Sequence, residues 1–248
     1  MKRHILLGLI LSLSACKEIP SEPAVEAEGE GEKAPAVLAG STTPTPTCAT
    51  NGLVANYDFN EGAGVTAGDS SITGNHGQIF GALWGTGKYG SGLTFGNSKY
   101  IEAPHHSNLN PTNLTIEAWI YPTSATGDHI IVAKFQNTND GYQFWLTPTR
   151  KLRAAINSGT SYTSSISLSL NYWTHVAVTY SDTEIRFYIG TVFDSTHPAT
   201  GPLNGNTEPL MIGQRTGAYW FQGGIDQVRI YNRALSQPEI IENNGACQ

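Results

Sequence analysis

The sequence of residues 48–248 predicts an all-β fold, an antiparallel two-sheet jelly-roll sandwich. These residues are rich in Tyr, Trp, Ile, Val and Thr, which favour strands, and in Gly and Asn, which favour turns. Short segments of strand composition recur along this stretch and are bounded by Gly, Asn, Asp, Pro or Ser. Many short strands separated by turn signals are typical of sandwiches and jelly rolls.

Eight segments are predicted to be strands. They are residues 52–59, 114–120, 130–135, 142–146, 152–156, 173–180, 184–189 and 224–231. Glu117 and Trp119 alternate with three apolar residues of their segment, so they lie on the opposite face of that strand. A Trp on the less apolar face predicts that both faces are partly covered or form a groove. We assign Trp119 and Trp173 to the core.

One short helix is predicted, at residues 237–241. Ser236 is a suitable N-cap, and Pro238 and Glu239 suit the first turn, where backbone N–H groups lack helical partners. The domain is therefore predicted to consist of strands with one helix near its C-terminal end.

Residues 1–15 are predicted to be a secretory signal peptide. Basic residues 2–4 precede an apolar run at 5–13, which is shorter than the roughly 20 residues that span a bilayer. The sequence Leu-Ser-Ala-Cys at 13–16 resembles a bacterial lipobox, which implies a lipoprotein with palmitate or a similar acyl chain on Cys16. The alternative is ordinary signal cleavage nearby, with Cys16 incidental. Lys17 does not match the aspartate retention signal, which implies the outer membrane if the cell is Gram-negative.

Residues 16–47 are predicted to be the lipidated cysteine and a disordered tether. They are rich in Glu and Pro and contain almost no large apolar side chains. Such a segment cannot bury enough surface to offset its ordering entropy. Residues 48–248 follow as one domain, long enough for one substantial core. The formal net charge of the chain is −6 and no basic stripe appears, so nucleic acid is not an expected partner.

The three cysteines fit an oxidising compartment. If Cys16 is lipidated, Cys48 and Cys247 remain, at the two ends of the domain. Leftover cysteines in such a compartment usually pair, which predicts a disulfide between them. The alternative is two free thiols. A disulfide requires the two ends of the domain to lie close together.

Six motifs, in order, carry a family resemblance. They are residues 53–62, 69–77, 92–95, 114–120, 173–180 and 221–236. Together they resemble the laminin-G-like jelly roll of the concanavalin A-like lectin/glucanase superfamily over residues 51–242. The chain departs from the family at Gly190 and Thr191, where an Asp-Gly turn is usual, and this change does not threaten the fold.

The resemblance implies a structural calcium ion. The ion would be shared between the turn-rich segment 69–77, through Asp69 and Asn75, and Asp226 near the end of the chain. Calcium binds carboxylate, amide and carbonyl oxygens, which these residues offer. The alternatives are an Asx-turn at Asp69 and a carboxylate at Asp226 that accepts backbone N–H groups.

The superfamily includes sugar-cleaving enzymes, but no catalytic residues are predicted. A glycosidase needs two carboxylates close together, and the sequence shows no convincing pair. It also has no His-x-x-x-His pair on a predicted helix and no Gly-x-Ser-x-Gly elbow. We therefore expect the domain not to be an enzyme.

Five residues are predicted to bind a ligand. Gln143 and Trp145 share the strand face opposite an apolar set, and Tyr219 and Trp220 stand in a loop after a glycine. Aromatic rings suit the apolar faces of sugars, and Arg153 is a donor for hydroxyl groups, with Asn157, Gln214 and Arg215 as further companions. The alternative is that these aromatic residues only cover the edges of the core.

The function predicted from the sequence is that of an envelope-anchored binding module. Carbohydrate binding in adhesion or glycan capture is the leading hypothesis. A protein–protein adhesion or envelope-assembly domain is the alternative, and a glycan-active hydrolase follows behind both. The expected partners are a glycan or an extracellular protein, together with the membrane that holds the lipid anchor.

Overall fold

The structure, a computed structural model, describes residues 48–135, 140–157, 160–215 and 217–246. In this part of the chain the strands are, in order, β1 (Leu53–Tyr57), β2 (Thr66–Ala67), β3 (Gly77–Phe80), β4 (Leu83–Thr86), β5 (Ser91–Phe95), β6 (Tyr100–Ala103), β7 (Leu114–Pro122), β8 (His129–Lys134), β9 (Tyr142–Leu146), β10 (Lys151–Ile156), β11 (Ser161–Ser167), β12 (Thr174–Ser181), β13 (Glu184–Ile189), β14 (Val192–Pro198), β15 (Leu210–Ile212) and β16 (Gly223–Tyr231). A 3-10 helix spans Ser107–Leu109, and the α-helix α1 spans Gln237–Ala246.

The strands form two antiparallel sheets, which confirms the predicted all-β sandwich. The first sheet has the order β14-β13-β12-β7-β16-β5-β4, and β1 pairs with β16 beyond β5. The second sheet has the order β11-β10-β9-β8-β15-β6-β3-β2. The centre of each sheet joins strands that are distant in sequence, as in β7 beside β16 and β8 beside β15, so the fold depends on long-range pairing.

The eight predicted strand segments correspond to β1, β7, β8, β9, β10, β12, β13 and β16. The strands that sequence patterns did not reveal include β11 and β14 at one edge of each sheet, where Ser and Thr are frequent and most side chains are not buried. A strand with few buried side chains has no strong alternation to detect. The helix α1 extends to Ala246 and not only to residue 241, and Glu239 accepts hydrogen bonds from the backbone N–H and hydroxyl of Ser236.

The core lies between the two sheets and is built from alternate residues of their strands. On β7 the inward residues Leu114, Ile116 and Ile120 are fully or nearly fully buried. On β9 the corresponding residues are Phe144 and Leu146. The period-two alternation seen in the sequence therefore corresponds to the packed face of each strand.

The outer face of the first sheet is covered as well. Near β16, Leu235 and Ile240 pack against Tyr231, and Ile240 belongs to α1. Farther along the sheet, the Lys88 ammonium lies 4.5 Å from the ring centre of Trp119, and the Tyr89 ring lies 5.7 Å from it. Burial on both faces, which the sequence predicted for this sheet, is therefore observed.

The two Trp residues assigned to the core have different positions. Trp119 is 7% exposed, but it is buried on the outer face and not between the sheets. Trp173 is only partly buried and packs against Tyr121, with ring centres 5.5 Å apart, so its assignment to the core is wrong. Trp173 directly precedes β12, and alternation does not show how far neighbouring elements cover the end of a strand.

The two ends of the domain lie together. The backbone N–H of Ala49 donates a hydrogen bond of 2.9 Å to Asn243 of α1. Cys48 is disulfide-bonded. Cys247 lies outside the described residues, as do the signal peptide 1–15, Cys16 and the tether 16–47, so the pairing of Cys48 with Cys247 stays a prediction. No helix in the described part of the chain is long and apolar enough to cross a membrane.

Covering the first sheet buries a cluster of polar side chains on its outer face. Glu117 contacts Arg229 at 3.4 Å and His175 at 3.8 Å, and Arg229 also donates to Gln227 at 2.8 Å. Burial raises the pKa of Glu117 to about 7, although Arg229 opposes the rise. Burial and the Arg229 charge lower the pKa of His175 to about 3.

We expect Glu117 to make the domain less stable as the pH rises from about 4.5 to 7, because the unfolded chain releases this proton first. The effect is at most roughly 3 kcal/mol, at about 1.4 kcal/mol for each pH unit between the two pKa values. Urea unfolding of the wild type and Glu117→Gln across this range should show a flatter profile for the variant. Glu242→Gln, on the exposed side of α1, is the matched control. Equal slopes for Glu117→Gln and wild type would contradict the assignment.

Candidate functional site

The outer face of the second sheet presents a row of aligned side chains. Trp145 on β9 is directly opposite Arg153 on β10 and Ile130 on β8. Gln143, two residues before Trp145, points to the same side because side chains alternate along a strand. Trp145 packs against Ile130, and a small apolar cluster on this face supports both.

A small cleft opens above this row. Its volume is about 80 Å³, and its lining comprises Asp128, Ile130, Gln143, Trp145, Arg215 and Tyr219. The residues come from the loop before β8, from β8 and β9, and from the loop between β15 and β16. The fold therefore brings together polar and aromatic side chains that are far apart in sequence.

Arg215 is held in a defined position at the cleft. Its Nη1 donates a hydrogen bond of 2.8 Å to Oε1 of Gln143, and its guanidinium lies 4.9 Å from the ring centre of Tyr219 and 5.8 Å from that of Phe135. Among the described residues, no carboxylate lies within 4.0 Å of this guanidinium. Most of its five N–H donors are thus available to a ligand.

The loop that carries Tyr219 is pinned to the sheet. Arg215 and Ala218 exchange two backbone hydrogen bonds, and the carbonyl of Tyr219 accepts the N–H of Ile130 at 2.9 Å. Tyr219 has a φ of 58°, in the left-handed region that non-glycine residues seldom adopt. Its side chain is 45% exposed. A strained backbone fixed by several bonds at an exposed aromatic residue is typical of a functional position.

The structure brings three of the five predicted ligand-binding residues into the cleft: Gln143, Trp145 and Tyr219. Trp145 is only 7% exposed, so its ring forms a wall and not an open platform. Arg153 lies 5.9 Å from the Trp145 ring and donates to Thr163, outside the cleft lining.

Trp220 lies in an adjoining groove and not in the cleft. Of the companions named from the sequence, Arg215 is in the cleft, whereas Asn157 donates to the carbonyl of Pro202 elsewhere. Asp128 was not singled out from the sequence. Its position two residues before the predicted strand 130–135 was the one available signal.

The chain matches a family model described as Concanavalin A-like lectin/glucanases superfamily over residues 95–241. It belongs to this superfamily. No curated protein matches the chain in sequence.

Several solved structures share the fold of this superfamily member. Domain 4 of AbnA, an extracellular arabinanase from Geobacillus stearothermophilus in complex with arabinotriose, is 20% identical with a TM-score of 0.64, and the match covers 77% of this chain and 97% of that one. The binding domain of Paraclostridial Mosquitocidal Protein 1 is 17% identical with a TM-score of 0.66, covering 80% and 53%. The binding domain of Botulinum Neurotoxin DC, in complex with SialylT, is 12% identical with a TM-score of 0.63, covering 80% and 52%. The chain thus spans nearly all of the first and about half of each toxin domain.

Asp69, predicted from the resemblance to bind calcium, is surrounded by hydrogen-bond donors. Its Oδ1 accepts the backbone N–H groups of Asn56 at 2.8 Å and Ser71 at 2.9 Å. Its Oδ2 accepts the N–H of Asn75 at 2.7 Å and the hydroxyl of Thr73 at 3.3 Å. The carboxylate therefore organises its own turn, which is the Asx-turn alternative.

Asp226 lies on β16 in a separate environment. Its Oδ2 accepts the N–H of Tyr89 at 3.0 Å, whereas its Oδ1 has no partner among the described residues. Burial raises its pKa to about 6. Asp226 and Asp69 share no hydrogen-bond partner in the described ranges, which also hold no group of three or more His, Cys, Asp or Glu suited to a metal. Calcium binding by Asp69, Asn75 and Asp226 stays a prediction.

We expect Asp69→Ala to lower the free energy of unfolding by about 2–4 kcal/mol, because three backbone N–H groups lose a charged acceptor. Urea unfolding in chelator measures this loss without any contribution from a bound ion. Asp182→Ala, in an exposed turn, is the control. A calcium-dependent gain in the wild type that disappears in Asp69→Ala would instead support a bound ion at this residue.

Proposed function

We propose that residues 48–248 form a non-catalytic carbohydrate-binding module whose site is the cleft on the second sheet. The observation that carries this proposal is the fixed position of Arg215, which Gln143 and Tyr219 hold beside Trp145 and Asp128. A few convergent polar groups around aromatic side chains are typical of ligand sites.

The chemistry of the cleft suits a sugar. Tyr219 offers an exposed aromatic face to the apolar C–H groups of a ring. Arg215 donates to sugar oxygens, and Asp128 accepts from sugar hydroxyls, so a hydroxyl can use both of its hydrogen-bonding capacities between them. The complexes of AbnA domain 4 with arabinotriose and of the neurotoxin domain with SialylT support a glycan as the ligand class for this fold.

Binding is favoured over hydrolysis by the acidic residues at the site. Asp128 is the single carboxylate among the described residues that line the cleft and the adjoining groove. Glycosidases place two carboxyl groups on either side of the bond they cleave. One carboxylate beside a guanidinium suits recognition of hydroxyl groups better than that chemistry.

The second part of the proposal is that a lipid on Cys16 anchors the module to the cell envelope, and to the outer membrane if the cell is Gram-negative. Its support is the signal sequence, the Leu-Ser-Ala-Cys motif and the Glu- and Pro-rich composition of 16–47. Two or more acyl chains hold a protein firmly on a membrane.

We expect the full chain to incorporate radioactive palmitate and to sediment with membranes, and Cys16→Ser to lose both properties. Cys48→Ser is the matched cysteine control and should keep the label. A labelled Cys16→Ser variant, or a wild type that carries no label, would contradict the anchor.

We expect a glycan array to identify a ligand for the full chain carrying Cys16→Ser, and Arg215→Ala to weaken its binding at least tenfold. The reason is that a hydrogen bond to a charged group contributes about 1.5–3 kcal/mol, and 1.4 kcal/mol is a factor of ten. Calorimetry measures the dissociation constant for each variant.

Phe193→Ala is the matched control for Tyr219→Ala, because Phe193 is 41% exposed on β14 of the other sheet. Phe193→Ala should bind the glycan as the wild type does, whereas Tyr219→Ala should bind it more weakly. A folded protein that binds no glycan would shift the assignment to a protein partner. Release of reducing sugar from a bound glycan would instead indicate a hydrolase.

A further inference from the structure

A groove adjoins the cleft on the side away from β9. The groove has a volume of about 500 Å³, and residues of the 123–128 segment form one of its sides. The other named residues of its lining are Asn97, His129, Tyr219, Trp220 and Gln222. Asp128 and Tyr219 line both the groove and the cleft, so the two spaces adjoin at these residues.

The sizes of the two spaces show that the cleft alone is a small site. Ligand pockets in proteins usually measure about 300–1,000 Å³. The cleft, at about 80 Å³, is well below this range, and the groove, at about 500 Å³, is within it. A ligand that uses Arg215 and Tyr219 therefore fills the cleft with part of one sugar, and the adjoining groove has room for more of it.

Trp220 is fixed in the wall of the groove. Its indole N–H donates to Gln214 at 3.2 Å, and Gln214 is buried. The carbonyl of Trp220 lies 2.9 Å from Nδ1 of His129. Both ends of the residue are thus held, and the half-buried indole supplies apolar surface to the groove.

Two polar features of the groove lack complete partners. His129 is 3% exposed, and its Nε2 has no hydrogen-bond partner among the described residues. Because a carbonyl only accepts, Nδ1 donates to Trp220, and Nε2 is the ring nitrogen left for another group. Gln222 donates to Asn97 at 2.7 Å, which leaves the other half of each amide for a ligand.

From these features we infer that the glycan site continues past Asp128 and Tyr219 into this groove. The domain then recognises a chain of two or more sugar residues, one held at Arg215 and the next against Trp220. This inference rests on the proposed function, and it assigns Trp220 to a second subsite with His129, Gln222 and Asn97 as its polar lining.

The test is calorimetry of the full chain carrying Cys16→Ser with arabino-, xylo- and chito-oligosaccharides, each from the monosaccharide to the hexasaccharide. We expect at least one series to bind, with an affinity that rises at least tenfold from monosaccharide to trisaccharide. Trp220→Ala should abolish this gain without changing monosaccharide affinity, whereas Arg215→Ala should weaken every member of the series.

Trp220→Phe retains an aromatic ring and should keep most of the rise in affinity with chain length. Equal melting temperatures establish that each variant is folded. Affinity independent of chain length, or a Trp220→Ala variant that keeps the full gain, would overturn the second subsite and leave the proposed function standing. No binding to any of the three series would overturn both.

Discussion

The covering of the outer face of the first sheet determines which surface of this domain is available to a ligand. Elements around α1 pack on Tyr231, and Lys88 and Tyr89 pack on Trp119, so little of that face is left open. On the second sheet, Gln143 and Trp145 of β9 are also largely buried, but they line a cleft beside the exposed ring of Tyr219. A sandwich has only two outer faces, and closing one with secondary structure directs binding to the other.

The same covering carries an electrostatic cost, because it buries charged side chains. Glu117, His175 and Arg229 lie on the covered face and are almost completely buried. Buried charges are stable only when paired and hydrogen-bonded, and Arg229 meets that condition by contacting both Glu117 and Gln227. The register of β16 shifts between Asp226 and Arg229, and this irregularity accompanies the left-handed φ of 48° at Gln227. Backbone distortion and charge pairing therefore occur at the same place in the sheet.

Sequence patterns predicted what depends on neighbours along one strand. The shared face of Gln143 and Trp145 follows from alternation, and the loop position of Tyr219 follows from the glycine before it. The Arg215–Gln143 bond joins residues 72 positions apart, so it depends on strand order, which alternation does not encode. The position of Trp220 in the groove depends in the same way on His129, 91 residues away. For Asp69, composition suited calcium and an Asx-turn equally, and the three backbone N–H groups that donate to its oxygens could not be predicted from composition.

Preorganisation explains how so small a cleft can contribute to affinity. Ordering a side chain on binding costs about 0.5–1.5 kcal/mol, and a ligand of few atoms offers little to offset it. In this site the side chains are already ordered in the folded protein. Gln143 and two aromatic rings hold Arg215, and the hydrogen bond from the backbone N–H of Ile130 holds Tyr219. The left-handed φ of Tyr219 persists because these surrounding bonds fix it. Under the proposed function, rigidity at the cleft complements space in the groove: the first would position one sugar, and the second would admit the rest of the chain.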